Sequence, residues 1–213
     1  LLGQIMPACY YWLCYDRNSN IKALLLASLF TAMAMMTKGL FVVVTIFSGV
    51  FCSWLYTRQF KRIYAPKWLL AYGLCLLFIL PELICLYIQF DLHPEKTVFG
   101  QQQISGLKWY FWDSQFGRFF NSGPIVNTQG NPFFFVHTFL WAFLPWSMIF
   151  ILASWRQLRD FRLRSHSQNA RVVYLLASFW LTFIMFSATR FQLDHYTNII
   201  IPFASIVCAA YLQ

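Results

Sequence analysis

The 213-residue chain is 59% hydrophobic and only 11% charged, and Phe, Tyr and Trp together make up 21% of it. Soluble domains average about 45–50% apolar and about 25% charged residues, so this balance excludes a disordered protein, a coiled coil and an ordinary soluble enzyme. The formal charge of +9 would suggest nucleic acid in a soluble domain. In a polytopic membrane protein Lys and Arg instead orient helices, and no nucleic-acid partner is expected.

The chain opens with Leu1-Leu2 inside an apolar run and closes at Gln213 at the end of another, so it is expected to be a fragment. No signal peptide is legible. Apolar stretches at 1–15, 23–36, 40–56, 68–89, 133–154, 172–187 and 197–213 predict a multi-pass, all-α transmembrane bundle forming a single domain over 1–213. A membrane helix needs roughly 20 apolar residues. Read as one helix, Ala23 to Tyr56 would be about 51 Å long at 1.5 Å per residue, against a hydrocarbon core of about 30 Å. Thr37-Lys38-Gly39 near its middle predicts two helices that turn there.

Charge orients the bundle. Linkers 16–22, 57–67 and 155–171 hold eleven of the 16 basic residues and read as cytoplasmic. Lys38, Lys96, Lys108, Arg118 and Arg190 fall on the opposite side, where orientation does not explain them.

The outer loop, 90–132, is too long to be structureless. Trp109, Trp112, Phe116, Phe119 and Phe120 share one helical stripe of about 100°. This predicts an interfacial amphipathic helix, aromatic face down, with Arg118 opposite and directed at whatever sits above the bundle. Lys38 at its tight turn reads as an anion site for a phosphate headgroup or as a snorkelling lysine. Lys38, Arg118, Arg190, His195 and Tyr196 reach the outer face from different linkers, a convergence suited to a phosphate at the lipid–water boundary. Arg190 and Asp194 could equally pair with each other, and His195 and Tyr196 could be interfacial anchors.

Other polar residues say less. Glu82 follows Pro81 inside a membrane helix, as a functional carboxylate or a structural ion-pair partner. His93 and Glu95 lack a third spaced metal ligand. His137, in an apolar helix, is expected to be a hydrogen-bonded core histidine. The six cysteines form no CxxC pair and read as buried hydrophobes. GxSxG, GxGxxG, P-loop and HExxH motifs are absent from the sequence. No cofactor is signalled, divalent metals included.

Four blocks carry a resemblance. Met35-Met36-Thr37-Lys38-Gly39 resembles the "TKG" turn of the GT-C membrane glycosyltransferases, which include the bacterial lipid A aminoarabinose transferases and the protein O-mannosyltransferases. Phe116-Gly117-Arg118-Phe119-Phe120 is similar to that family's "RF" element. Asn131-Pro132-Phe133-Phe134-Phe135 with Leu144-Pro145-Trp146-Ser147 is similar to its "PFFYY…LPW" segment. Phe186-Ser187 through His195-Tyr196 to Pro202 resembles its last outer turn, although Arg190 stands where the family has Lys and Asp194 where Pro is common.

The resemblance implies a bacterial inner-membrane enzyme with its active site facing the periplasm. It would move a sugar from a polyprenyl-phosphate carrier to a lipid or protein acceptor. By the same resemblance Lys38 and Arg118 would bind the carrier phosphate, with help from Arg190, His195 and Tyr196. The family's acidic acceptor base lies upstream of residue 1, so the chain alone is expected to be inactive. The rival classes are a transporter or flippase of lipid-linked sugars, and a non-catalytic membrane subunit.

Overall fold

The computed structural model of the protein describes residues 1–98, 100–122, 130–163 and 165–213. Helix α1 (Leu2–Asn18) and helix α2 (Ile21–Lys38) form an antiparallel pair. Ser19 turns the chain in the left-handed region, and the Asn20 carboxamide caps α2 by accepting from the Lys22 N–H at 2.9 Å. Helix α2 stops at Lys38 and helix α3 (Phe41–Tyr56) starts two residues past Gly39, so the chain turns where the tripeptide predicts. A short 3₁₀ segment, Phe60–Tyr64, leads to helix α4 (Pro66–Leu86). Its Pro66 sits in the first turn, where a missing N–H costs no hydrogen bond.

Beyond a wide turn at Tyr87–Asp91, the outer loop builds a short helix from α5 (Gly106–Lys108), a π turn (Trp109–Asp113) and α6 (Ser114–Phe120). The Asp91 carboxylate accepts from the Ser105 hydroxyl at 2.5 Å and from the Gly106 N–H at 2.9 Å. That one side chain ties α4 to the start of the loop helix and satisfies an otherwise orphaned donor there.

Two expectations fail in the second half. The stretch 133–154 is not one helix but α7 (Phe134–Ala142) and α8 (Trp146–Arg159), bent by 109°. Pro145 lies at the bend and has no N–H to continue the ladder. Helix α9 (His166–Ala188) starts well before residue 172, because Ser165 and Gln168 form a capping box. A 3₁₀ turn, Asp194–Ile199, precedes helix α10 (Ile201–Leu212).

The fold is all-α, with no strand among the described residues. Three helices, Ile21–Lys38, Pro66–Asp91 and His166–Ala188, are long and apolar enough to cross a membrane, and the bent pair would make a fourth. Phe41–Tyr56 and Ile201–Leu212 are shorter apolar helices. This is consistent with a membrane protein.

Helix α3 lies close against α9: a Cβ at Gly49 would collide with Ser178 and Tyr174. The Thr182 hydroxyl donates to that of Thr45 at 3.2 Å between the same helices. Small residues allow such approach where burial from water is not the driving force. Two aromatic clusters complete the interior. Trp12, Tyr15, Trp54 and Trp68 clasp one end, with Trp54 and Trp68 ring centres 4.6 Å apart. The Trp12 Nε1–H donates to the Thr31 hydroxyl at 2.9 Å, and the Tyr15 hydroxyl to the Lys67 carbonyl at 2.9 Å. Phe139, Phe143, Phe150, Phe179 and Phe183 pack α7, α8 and α9 together.

Candidate functional site

The α2–α3 turn, the start of α10's 3₁₀ turn and α6 meet at the end of the bundle opposite the tryptophan clasp. Gly39 makes the meeting possible. Its φ of +80° is open to glycine, and a Cβ there would strike the Gln115 carboxamide. Gln115 is therefore laid flat on the turn, its Nε2–H donating to the Ser114 hydroxyl at 2.9 Å. Beside it the Tyr110 hydroxyl donates to the Met35 carbonyl at 3.2 Å. Burial, with the Glu82 carboxylate nearby, pushes the Tyr110 phenol up to about 12. From the other side, the Arg190 N–H donates to the Phe119 carbonyl at 2.9 Å and the Phe191 N–H to the Arg118 carbonyl at 3.3 Å. The outer turn thus donates to carbonyls at the C-terminal end of α6.

These contacts line a small cavity of about 40 Å³. Lys38, Arg118, Ser114, Gln115, Thr189 and Tyr196 supply its polar groups. Phe41, Val42, Phe119, Phe186, Phe191 and Ile199 supply an apolar lining, with the buried Thr45 hydroxyl among them. Lys38 Nζ is 3.4 Å from His195 Nε2 and 4.6 Å from the centre of the Tyr196 ring. The Tyr196 ring face adds a cation–π attraction of about 0.5–1 kcal/mol. Tyr196 is 8% exposed. Burial pushes its phenol above the usual range, and the neighbouring Arg118 guanidinium works against that shift.

All seven carboxylates of the chain lie among the described residues, and none forms an ion pair with Lys38 or Arg118. Lys38, half-buried, and Arg118, exposed, line one partly apolar cavity and repel each other. That arrangement favours an anion between them.

The structure brings together Lys38, Arg118 and Tyr196, with His195 against Lys38. The Arg190 side chain is exposed and does not line the cavity; the residue is engaged through its backbone. Arg190 and Asp194 make no ion pair among the described residues.

The loop helix also lies the other way over. Its polar side, carrying Tyr110, Gln115 and Arg118, docks on the bundle, and the stripe of Trp109, Trp112, Phe116 and Phe120 faces outward into a second groove. The wheel sets Arg118 opposite Trp109, Trp112, Phe116 and Phe120, but Phe119 of the same stripe lines the cavity beside Arg118. The wheel does not reveal that the seat beneath, a main-chain carbonyl and a bare glycine, favours the polar face.

Elsewhere, His137 is exposed on α7 rather than a core histidine. His93 Nδ1 and Glu95 Oε1 are exposed, 3.0 Å apart, and no three His, Cys, Asp or Glu gather among the described residues. Of the cysteines, Cys9, Cys75 and Cys208 are buried, whereas Cys85 is exposed on the apolar flank of α4. Gln115 and Thr45 escape notice in the sequence. Only the unusual amide among aromatics at 115 signals either of them.

No protein-family model, curated protein or solved structure matches the chain.

Proposed function

We propose that the chain forms part of an integral-membrane glycosyltransferase that takes a sugar from a polyprenyl-phosphate carrier and delivers it to a lipid or protein acceptor at the outer face of a bacterial inner membrane. The observation that carries this reading is the cavity in which Lys38 and Arg118 converge, without a carboxylate partner, over an apolar lining. A lipid phosphate needs both features: donors for the headgroup and apolar walls for the first carbons of the chain.

When the sugar's anomeric carbon is attacked, its bond to the phosphate oxygen breaks and negative charge grows on the departing phosphate. Donors already aimed at that charge lower the barrier without having to reorganise. Lys38 offers a point charge and Arg118 a planar fork suited to two phosphate oxygens. His195 and the Tyr196 ring hold the ammonium in place, and the Tyr196 hydroxyl is a further donor beside Arg118.

A lipid-linked sugar flippase is the second reading, favoured by the 109° break between α7 and α8, since transporters bind substrate at broken helices. The break contributes no residue to the cavity that holds the cations.

The test supplies labelled polyprenyl-phosphate sugars to the native full-length protein in proteoliposomes together with an outer-membrane lipid extract. Label moving from carrier to acceptor supports the transferase. Label crossing the bilayer while still on its carrier overturns it in favour of the flippase.

A further inference from the structure

The second groove, about 640 Å³, is built within the outer loop by the aromatic side of the loop helix and the segment Gln101–Ser105 facing it. Trp112, 59% exposed, leans on the Phe116 ring, with ring centres 4.3 Å apart and planes tilted by 35°. Across from them stand Gln101, Gln102 and Gln103, three consecutive exposed amides. Their backbone is fixed: Val98 and Gln101 exchange main-chain hydrogen bonds of 2.9 and 3.0 Å, and the Gln103 N–H donates to the Pro94 carbonyl at 3.1 Å. Gln103 itself takes a left-handed φ of 60°. Their side-chain amides, by contrast, make no hydrogen bond among the described residues.

Exposed tryptophans near a membrane ordinarily lie in the lipid headgroup belt. Three amides face them across the same groove, so hydrogen-bond donors and acceptors stand opposite the rings. The occupant must offer an apolar face to the rings and hydrogen-bonding groups to the amides at once. A pyranose ring does so: its axial C–H groups meet the negative face of an indole, and its hydroxyls both donate to and accept from carboxamides. Lys108 and Asp113, 3.9 Å apart at the rim, offset each other's charge.

We infer that this groove is a saccharide-binding site for a neutral glycan, stacked on Trp112 and Phe116 and hydrogen-bonded by Gln101, Gln102 and Gln103. As the seat of a glycan acceptor it rests on the proposed transfer reaction; as a saccharide site it does not, so the test reads binding rather than turnover.

Full-length protein in nanodiscs is titrated with two neutral trisaccharides, mannotriose and cellotriose, and binding is read by saturation-transfer NMR. At least one binds, and Trp112→Ala weakens it at least tenfold. The paired surface change Gln102→Ala with Gln103→Ala, which removes no buried contact, weakens it at least threefold. The site is overturned if neither trisaccharide receives saturation, or if binding survives both the tryptophan and the glutamine changes. It is also overturned if brominated acyl chains quench the wild-type protein measurably more than Trp112→Phe, which would put Trp112 in lipid.

Discussion

Two sets of cations, one at each end of the bundle, are held in opposite ways. At the end closed by the tryptophan clasp, Arg62 donates to both oxygens of Asp16 at 2.7 and 2.9 Å, and Arg156 and Arg159 flank Asp160. At the other end Lys38 and Arg118 share a cavity with no carboxylate beside them, and their neighbours are an imidazole, a phenol and a carboxamide. A cation that orients a helix can be paired or solvated without loss. One that must meet an anion is best left without a competing carboxylate.

The sharpest way to break this contrast is to remove charge at each end. Lys38→Ala or Arg118→Ala should cut sugar transfer at least tenfold, about 1.4 kcal/mol of transition-state stabilisation, while membrane insertion persists. Near-normal turnover in both variants would remove the phosphate site. Next in size is Gly39→Ala. It forces a side chain into a backbone region costing about 1–3 kcal/mol and lifts Gln115 from its seat. A several-fold loss of transfer should follow, together with faster protease cleavage of the loop helix. Adding Gln115→Ala should recover only part of it, because the backbone strain remains.

At the opposite end, Arg62→Ala should change turnover less than twofold and lower stability by about 0.5–1 kcal/mol, since the pair is partly solvated. The smallest effect concerns the dock of the loop helix. An unfolded tyrosine titrates near pH 10, whereas folded Tyr110 does so at about 12. Stability from the Tyr110–Met35 bond is therefore complete below pH 10 and falls away as pH rises through that window. Hydrogen exchange of Ser114–Phe120 should accelerate over the same interval, and Tyr110→Phe should abolish the pH dependence.

The sequence is clearest where residues punctuate. Lys38-Gly39 interrupts an apolar run and marks a turn, and the outer cations stand out against the basic inner linkers. It is least clear where one apolar run conceals two helices, as at Pro145, since a proline within a membrane helix is common enough to be read through. The start of α9 was written as Ser165 and Gln168 three residues apart, but the surrounding arginines masked it as a linker. The docking face of α6 was hidden for another reason. Its seat is made by a main-chain carbonyl and an absent side chain, and neither leaves a mark on a helical wheel. Arg190 erred in the opposite direction: a charge in the right place on paper, with its side chain outside the cavity.

That last position has a consequence for variation. The outer turn is stitched to α6 through the peptide group of residue 190, whose N–H meets Phe119 and whose carbonyl receives the Gly130 N–H at 2.9 Å. Such a stitch is indifferent to what the side chain carries. Nineteen amino acids can supply it and one cannot, because proline has no N–H to give. A saturation library at position 190 should therefore be nearly flat, with a single hole at proline.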